Sequence, residues 1–392
     1  MSLATTKAIA LSGLNGELVT VEVDIADGLP GFNLLGLPDA ALSESRDRVR
    51  AAIVNSSQSW PNRKVTIALL PAWLPKAGSS FDLPIAMGIL GAQNIVRNLE
   101  DYLFVGELSL DGSLRHTRGV LPSLICAYQN GVRKVVIPSA NIAEAKLLPE
   151  LEVFAFTNLK EVVHWLQTGE LTEQSELDLV VEKIEMQLDF ADVAGQLPAR
   201  RAAEISAAGG HNFLMIGPPG VGKTMIAERL PTILPPLTQE ETLEVSAIHS
   251  ITNSNRAALS TTAPFIAPHH STTRIAMVGG GAHVIKPGVC SLAHRGVLFV
   301  DEAPECASGV LDSLRQPLEN GSITISRATG NLTFPAKFIL VLAANPCPCG
   351  KFAGKGLGCT CTSVQVRRYL NKLSGPLLDR IDLRVNVENV SR

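Results

Sequence analysis

The sequence has no excess of basic residues. Lysine and arginine number 34 against 37 acidic residues, so the formal net charge of the 392-residue chain is −3. Net charge describes the whole surface rather than one face, so any contact with nucleic acid must come from a local patch or a pore. The chain also contains no apolar run of about 18 residues without a charge or a Gly/Pro break, which excludes a membrane-spanning helix.

The N-terminus lacks the pattern of a secretion signal. Residues 1–7 (MSLATTK) do not start a charged segment, a long apolar core and a small-residue cleavage site. We therefore expect a soluble, cytoplasmic protein with no membrane partner.

Length and composition predict two or three folded domains. Apolar residues make up 46% and charged residues 18% of the chain, and a domain takes roughly 150 residues. Residues 1–167 alternate strand and helix patterns, which predicts an α/β domain with its own core. Residues 168–188 are mostly polar and acidic, which indicates an interdomain linker. Residues 189–392 form a second predicted α/β domain.

A glycine-rich segment follows a strand pattern at 211–216 and precedes a helix pattern at 225–230. This strand–loop–helix order is the context that a P-loop requires, and its backbone N–H groups would surround phosphate oxygens. We expect the Lys223 ammonium to reach the β- and γ-phosphates and the Thr224 hydroxyl to bind Mg²⁺, so ATP and Mg²⁺ are the predicted cofactors. The predicted nucleotide-binding residues are Gly217, Pro218, Pro219, Gly220, Val221, Gly222, Lys223 and Thr224.

Two further strand patterns end in polar residues. The apolar run 296–300 leads into Asp301 and Glu302. An acid at the end of a strand beside a P-loop holds Mg²⁺, and the adjacent Glu302 is placed to polarise the attacking water, which favours ATP hydrolysis over binding alone. The next apolar run, 338–343, is followed by Asn345, whose amide can orient water against the γ-phosphate.

Arg380 lies in the segment 377–382 (LLDRID). It is either a surface arginine paired with a neighbouring acid, which contributes little, or an arginine finger that reaches the ATP of a neighbouring subunit. Because it follows the elements of a nucleotide-hydrolysing domain, we favour the finger.

Four of the seven cysteines lie close together near the C-terminus. In a reducing compartment such a cluster indicates a metal before a disulfide. Four thiolates in one loop suit a structural, tetrahedral Zn²⁺ site. The alternative is a set of reduced loop cysteines or a disulfide pair. The candidate ligands form two Cys-x-Cys pairs: Cys347, Cys349, Cys359 and Cys361.

These motifs together resemble the magnesium-chelatase-like group of AAA+ ATPases, and within it the ComM/YifB family. The resemblance covers essentially the whole chain and includes residues 189–196 (DFADVAGQ), 267–270 (APHH), 291–302 (SLAHRGVLFVDE) and 373–380 (LSGPLLDR). It implies a three-layer αβα ATPase core and a hexameric ring that hydrolyses ATP at subunit interfaces. For ComM-like members it implies a DNA helicase that drives branch migration when incoming DNA recombines during natural transformation.

The resemblance also implies two elements that face the pore of the ring. A hairpin at 323–334 carries Arg327 and Asn331 near its tip, where they could contact DNA phosphates, although an ordinary surface hairpin remains an alternative. Lys351 and Lys355 in the cysteine-rich loop could also face DNA. The segment 267–288 resembles the helix-2 insert, and its histidine pair is expected to be structural because no third metal ligand follows at a useful spacing.

Residues 1–167 are similar to the Lon protease domain. The segment 75–82 (PKAGSSFD) lies where Lon-type proteases keep the nucleophilic serine, which corresponds to Ser80. Leu121 occupies the place of the lysine base, and leucine cannot accept a proton. We therefore expect a scaffold or DNA-guiding domain rather than a protease.

The sequence ends at Arg392, so we expect the helical lid of AAA+ proteins to be missing and ATP hydrolysis and ring assembly to be weakened. Three alternatives to a DNA motor stay open. They are a chelatase-type ATPase that remodels a protein partner, an ATP-dependent protease, and a chain that binds ATP without turnover. The Lon-like N-terminal domain favours the DNA motor.

Overall fold

The computed structural model describes residues 2–171, 188–252, 260–281, 285–307, 309–327, 330–352 and 358–388. The chain divides into two compact units, the first being Met1–Glu182 with His249–Leu259 and the second Lys183–Ile248 with Ser260–Arg392. Most of the predicted linker, 168–188, lies outside the described residues. No helix in the described ranges is long and apolar enough to cross a membrane.

The first unit is a mixed α/β structure. Its described strands are β1 (Ser2–Ser12), β2 (Asn15–Ala26), β3 (Gly31–Leu35), β4 (Lys64–Leu70), β5 (Tyr102–Phe104), β6 (Glu107–Leu108), β7 (Leu114–Arg115), β8 (Lys134–Pro138) and β9 (Glu152–Phe156). Its described helices are α1 (Ala40–Ser43), α2 (Ser45–Asn55), α3 (Asp82–Ala92), α4 (Val120–Gln129), α5 (Ile142–Ala145) and α6 (Leu159–Thr168).

Seven of these strands form one sheet in the order β3-β4-β2-β1-β5-β8-β9. β1 and β2 pair antiparallel, and the inward-facing residues of β2 are the fully buried Val19, Val21 and Val23. These β-branched side chains recur at every second position, as a strand with one buried face requires. The predicted strand at 64–70 coincides with β4, and the predicted Asp111-Gly112 turn joins β6 to β7.

The second unit follows with its own sheet. Its described strands are β10 (Phe213–Ile216), β11 (Phe265–Ile266), β12 (Gly279–Gly280), β13 (Lys286–Pro287), β14 (Val297–Val300), β15 (Ser322–Arg327), β16 (Gly330–Pro335), β17 (Ile339–Ala344) and β18 (Leu383–Asn386). Its described helices are α7 (Leu197–Gly209), α8 (Lys223–Arg229), α9 (Gln239–Ser250), α10 (Arg274–Val278), α11 (Val289–Leu292), α12 (Arg315–Asn320), α13 (Ser363–Leu370) and α14 (Gly375–Leu378).

Five strands of the second unit form a parallel sheet in the order β11-β14-β17-β10-β18. Alternate residues of β10, β11, β14 and β17 enter two different apolar clusters. Leu214 and Leu342 pack in one cluster with residues of α10 and α14, whereas Phe213 and Val341 pack in the other with residues of α7 and α8. The sheet therefore has helices on both faces, and the carboxyl ends of its strands meet at one edge, where ligands bind in such sheets.

The hairpin predicted before the last central strand is present. β15 and β16 pair antiparallel from Ser322 opposite Pro335 to Arg327 opposite Gly330. Ile323 and Phe334 at its base are buried. This base is therefore anchored in the core of the second unit.

Candidate active site

The phosphate loop, residues 217–222, connects β10 to α8. Gly220 and Gly222 have φ angles of +81° and +91°, in the left-handed region that favours glycine. A Cβ on Gly217 would lie only 2.3 Å from the carbonyl oxygen of Val387, which follows β18. The glycines of this loop are therefore required by its backbone conformation and by close contact with the neighbouring chain.

Lys223 is the first residue of α8, and its side chain points back into the loop. Its Nζ donates hydrogen bonds to the carbonyl oxygens of Gly217 and Pro218, at 2.7 and 2.9 Å, and to Oδ1 of Asn345, at 3.3 Å. Burial lowers the pKa of Lys223, and the two carboxylates that follow β14 oppose this shift. Lysine and asparagine, predicted from separate motifs, thus meet at the edge of the sheet.

The predicted magnesium ligands also meet. The Thr224 hydroxyl donates a hydrogen bond of 3.0 Å to Oδ2 of Asp301, and the other carboxylate oxygen accepts one of 2.8 Å from the Glu302 N–H. A hydroxyl and a carboxylate are hard oxygen ligands of the kind that Mg²⁺ takes beside a nucleotide. The residues therefore fit a magnesium ion bound together with phosphate.

Glu302 follows Asp301 with a φ angle of +48°, a conformation that a non-glycine residue rarely adopts. Its Oε2 lies 3.5 Å from Nδ1 of His270, whose ring stacks on that of His269 with centroids 4.0 Å apart. His270 comes from the segment after β11, the strand next to β14. A histidine that the sequence indicated only as structural thus holds the carboxylate that was predicted to polarise water.

Asn345 directly follows β17 and is braced from a second side. Burial raises the pKa of the Tyr369 phenol to about 12, with a further upward contribution from Glu305, while a hydrogen bond with the Asn345 backbone opposes the shift. Tyr369 belongs to α13, which begins after the cysteine-rich loop. The loop and α13 therefore help to fix the end of the strand that carries Asn345.

Arg380 makes its contacts within the second unit. Its guanidinium forms an ion pair with Glu319 and donates a hydrogen bond of 2.5 Å to the carbonyl oxygen of Pro376. Its backbone carbonyl accepts a 3.0 Å hydrogen bond from Nδ2 of Asn212, and Oδ1 of the same amide accepts one of 2.8 Å from the Leu340 N–H. The pairing with an acid is thus present, although the acid lies on a different element, and the role of Arg380 as a finger stays a prediction.

The four clustered cysteines converge. Their sulfur atoms lie within 4.8 Å of one another, and the Cys347 sulfur is 3.3 and 3.6 Å from those of Cys349 and Cys359. One member is buried and the other three are half-buried. A Cβ on Gly350 would lie 2.8 Å from Cδ of Pro219, so the cluster packs directly against the phosphate loop.

The candidate DNA contacts are only partly described. Asn331 is exposed on β16, opposite Ser326, and Lys351 is exposed beside the cysteine cluster. The backbone of Arg327 ends β15, but its side chain lies outside the described part of the structure, as does Lys355 entirely. These DNA contacts stay predictions.

In the first unit, the Lon-like segment 75–82 is bound into the scaffold. Lys76 is fully buried and its Nζ donates to the carbonyl oxygens of Leu69, at 2.8 Å, and of Pro71. Asp82 is fully buried and accepts hydrogen bonds of 2.9 and 3.0 Å from the Arg48 guanidinium. Both charged side chains therefore serve the packing of this unit.

Ser80, the serine of that segment, has no proton acceptor at the position where Lon-type proteases carry the lysine base. Ser80 is half-buried, and Leu121 is fully buried in α4. The hydroxyl of the preceding residue, Ser79, bonds instead to the Glu107 carboxylate. The prediction of a non-proteolytic domain has physical support but no direct test.

Sequence reasoning did not single out two residues that brace the site. Nε2 of Gln196 donates to the carbonyl oxygens of Val221, at 3.1 Å, and Glu388, at 2.6 Å, and so ties the phosphate loop to the segment after β18. Glu319 contacts the predicted finger. Gln196 could have been found from its place in the DFADVAGQ segment, whereas Glu319 lies on a different element from Arg380 and gives no local signal.

A glycine-rich loop, an acidic pair and an asparagine at one edge of a parallel sheet define a P-loop nucleotide-binding domain. Comparison with known protein families gives a more specific match. A family model described as "Magnesium chelatase, subunit ChlI" matches residues 189–392, and one described as "Subunit ChlI of Mg-chelatase" matches residues 21–141.

Relatives match the chain almost from end to end. YifB of Escherichia coli K12 is 45% identical over 99% of this chain and 76% of its own length. The competence protein ComM of Haemophilus influenzae is 43% identical over 99% of this chain and 77% of its own length. An uncharacterized protein of Mycobacterium tuberculosis is 48% identical over the whole of this chain and 78% of its own length. The chain belongs to the magnesium-chelatase-like ComM/YifB family, a branch of the AAA+ ATPases.

A weaker similarity covers a shorter part of the chain. Lon protease 2 of Bacillus subtilis is 30% identical over 29% of this chain and 21% of its own length. The Lon-like character of residues 1–167 stays a prediction.

Proposed function

We propose that this protein is an ATP-driven ring motor that acts on DNA as a helicase, in branch migration during recombination of incoming DNA. The observation that carries the ATPase part is the contact between Thr224 and Asp301, with Glu302 next in the chain. This arrangement joins a magnesium site to a group that can activate water. Nucleotide binding alone does not require that second group.

The roles of the residues follow from their positions. Bound Mg²⁺ would neutralise charge that develops on the phosphates, and Thr224 and Asp301 would hold it. The Lys223 ammonium would exchange its bonds to loop carbonyls for bonds to phosphate oxygens, which are stronger because both partners are charged. Glu302 would accept a proton from the attacking water, and Asn345 would orient that water.

The ring is proposed from Arg380. An arginine that stabilises the transferring phosphoryl group in a neighbouring subunit makes hydrolysis depend on assembly, and the family resemblance implies a homo-hexamer. The DNA substrate is proposed from the β15–β16 hairpin with Arg327 and Asn331, and from Lys351 and Lys355. The relative named as a competence protein supports natural transformation as the setting, and we propose a cytoplasmic location.

ATPase and strand-displacement assays on the full-length protein, with and without forked DNA, test this proposal. We expect DNA to stimulate hydrolysis and the protein to unwind the fork. Glu302→Gln should retain ATP and DNA binding and lose both activities, because an amide cannot accept the proton. Glu305→Gln, which removes a carboxylate paired with Lys372 at 3.9 Å, is the matched control and should keep both.

A second candidate is a chelatase-type ATPase that remodels a protein partner, which the description of the matching family model favours. The same assays separate the two. ATP hydrolysis that ignores DNA, together with no unwinding, would contradict the DNA motor and leave the chelatase-type function.

We also propose that the four-cysteine cluster holds a structural Zn²⁺. Four convergent sulfur atoms suit a closed tetrahedral site. Metal analysis should find about one zinc per chain, and Cys359→Ser should lose it, whereas Cys126→Ser, in the first unit, should keep it. Four freely titratable thiols and no zinc in the wild type would contradict the site.

A further inference from the structure

The short helix α12 connects the β15–β16 hairpin to the element that leads to Arg380. Its last residue, Asn320, is separated from the first strand of the hairpin only by Gly321, whose φ angle is +63°. The Gly321 carbonyl also accepts a 2.8 Å hydrogen bond from the Ala336 N–H, just beyond β16. Both strands of the hairpin are therefore tied to the C-terminal end of α12.

The N-terminal end of α12 is fixed to the element that carries the predicted finger. Oδ1 of Asp312 accepts hydrogen bonds from the Arg315 guanidinium, at 2.6 Å, and from the Ser374 hydroxyl, at 2.7 Å. Arg315 also donates to the Ser374 hydroxyl, at 2.9 Å. Ser374 directly precedes α14, which leads to Arg380. These three hydrogen bonds tie the N-terminal end of α12 to the segment before α14.

The C-terminal half of α12 holds the finger by a weaker contact. Glu319 forms the ion pair with Arg380, and their side chains are 50% and 28% exposed. An ion pair so open to water is readily exchanged for other partners. The Arg380 Nε is buried and has no hydrogen-bond acceptor among the described residues, so this geometry does not satisfy the whole guanidinium.

The space around the pair allows the side chain to move. Arg380 and Glu319 border a cavity of about 590 Å³ that is also lined by Ile323, Thr324 and Ile325 of β15. The finger, its acidic partner and the first strand of the hairpin thus share one cavity. A displacement of the hairpin changes the surroundings of the ion pair directly.

We propose that Glu319 is a positioning residue that holds Arg380 away from the neighbouring subunit's ATP until DNA loads the hairpin. A guanidinium paired with a carboxylate cannot offer its full charge to a transferring phosphoryl group. Load on the hairpin would shift the end of α12, open the ion pair and free the side chain, while the Asp312–Arg315–Ser374 contacts keep α14 in place. This rests on the proposed ATPase function and names how DNA regulates it.

Glu319→Gln in the full-length protein tests the proposal, because it removes the charge and keeps the shape. We expect kcat without DNA to rise about 2- to 5-fold, the shift that an exposed ion pair supplies. The rate at saturating single-stranded DNA should stay near that of wild type, so the stimulation ratio falls. KM for ATP should not change, since Glu319 lies outside the subunit's own nucleotide site, and Glu319→Asp should restore low activity.

Two controls separate release of the finger from general loosening. Glu204→Gln removes a carboxylate from a comparable exposed pair, with Arg201 at 3.1 Å, and should leave all rates unchanged. Glu319→Gln combined with Arg380→Ala should lose the gain. If the DNA-free rate of Glu319→Gln stays level or falls while the wild type hydrolyses ATP, the proposed role of Glu319 is wrong and the proposed ATPase function still stands. If neither protein hydrolyses ATP, the proposed function and the proposed role of Glu319 are both wrong.

Discussion

Both units contain a segment that resembles a catalytic motif, but the side chains of the two segments have different partners. In the second unit, Lys223 bonds to Asn345 and Thr224 bonds to Asp301, so groups from α8 and from the ends of β14 and β17 face one another at the edge of the sheet. In the first unit, Lys76 bonds to backbone carbonyls of its own scaffold. Similar motif patterns can thus place their charged side chains either at an open sheet edge or inside the packing of a unit.

The largest expected effect concerns the finger. Arg380→Ala should lower kcat for ATP about 10³-fold, because the charge of the transferring phosphoryl group loses its partner. ATP affinity should stay nearly constant if the residue acts on the neighbouring subunit's site, as proposed. Mixing this variant with Lys223→Ala subunits should restore part of the activity. Full hydrolysis by isolated wild-type monomers would refute action between subunits.

The second prediction concerns the buried pair in the first unit. Arg48→Ala leaves the fully buried Asp82 carboxylate without its ion-pair partner, which should lower the free energy of unfolding of this unit by about 3 kcal/mol at pH 7. All three tryptophans lie in this unit, so their fluorescence reports its unfolding. Arg63→Ala removes an exposed pair with Asp27 and should cost less than about 0.5 kcal/mol.

The same pair has a pH dependence of known sign. Burial raises the pKa of Asp82 to about 6, although Arg48 opposes the shift. A carboxyl whose pKa is raised on folding contributes stability at low pH that is lost as the pH rises through about 6. The deficit of Arg48→Ala should therefore shrink between pH 7 and pH 5. A deficit that grows over this range would show that the carboxyl is not desolvated.

A smaller effect is expected at His270. Removing its imidazole frees the Glu302 carboxylate, so His270→Ala should lower kcat about 5-fold, a minor part of what a general base contributes. His269→Ala is the matched control, because that ring bonds to the Ser271 hydroxyl at 2.8 Å instead. Equal effects of the two variants would indicate that the ring stack, rather than the contact with Glu302, matters.

The smallest effect is expected at Ser80. Ser80→Ala should change stability by no more than about 0.5 kcal/mol and leave ATP hydrolysis unchanged. Neither wild type nor variant should degrade casein. Casein degradation that Ser80→Ala abolishes would show that the first unit has a base that sequence comparison failed to find.

Patterns with a local physical cause were predictable. The strand at 64–70, the hairpin at 322–335 and the phosphate loop were all found because alternation, turn residues and glycine positions lie within short windows. β1 was missed, since Ser2–Ser12 mixes small and polar residues with few large apolar ones and owes its strand to pairing with β2. Such a segment is recognised only once its partner is known.

Within the site, sequence reasoning found the reacting groups and missed their support. Thr224 and Asp301 each follow a strand pattern, so their meeting is a consequence of parallel strands. Gln196, His270 and Glu319 act on groups that are distant in sequence, and neither spacing nor composition indicates such contacts. The cysteine cluster was predicted from spacing, but its packing against Pro219 was not.

Asn212 has a consequence for how successive sites could communicate. Its side chain holds both the Leu340 N–H of β17 and the carbonyl of Arg380, and it stands one residue before β10, the strand that ends in the phosphate loop. Hydrogen bonds of this one amide therefore join the backbone of the predicted finger to β17, the strand that ends beside Asn345. In a ring, this amide would couple the nucleotide state of one subunit to the position of the arginine that it offers to the next. Subunits would then hydrolyse ATP in sequence rather than at random.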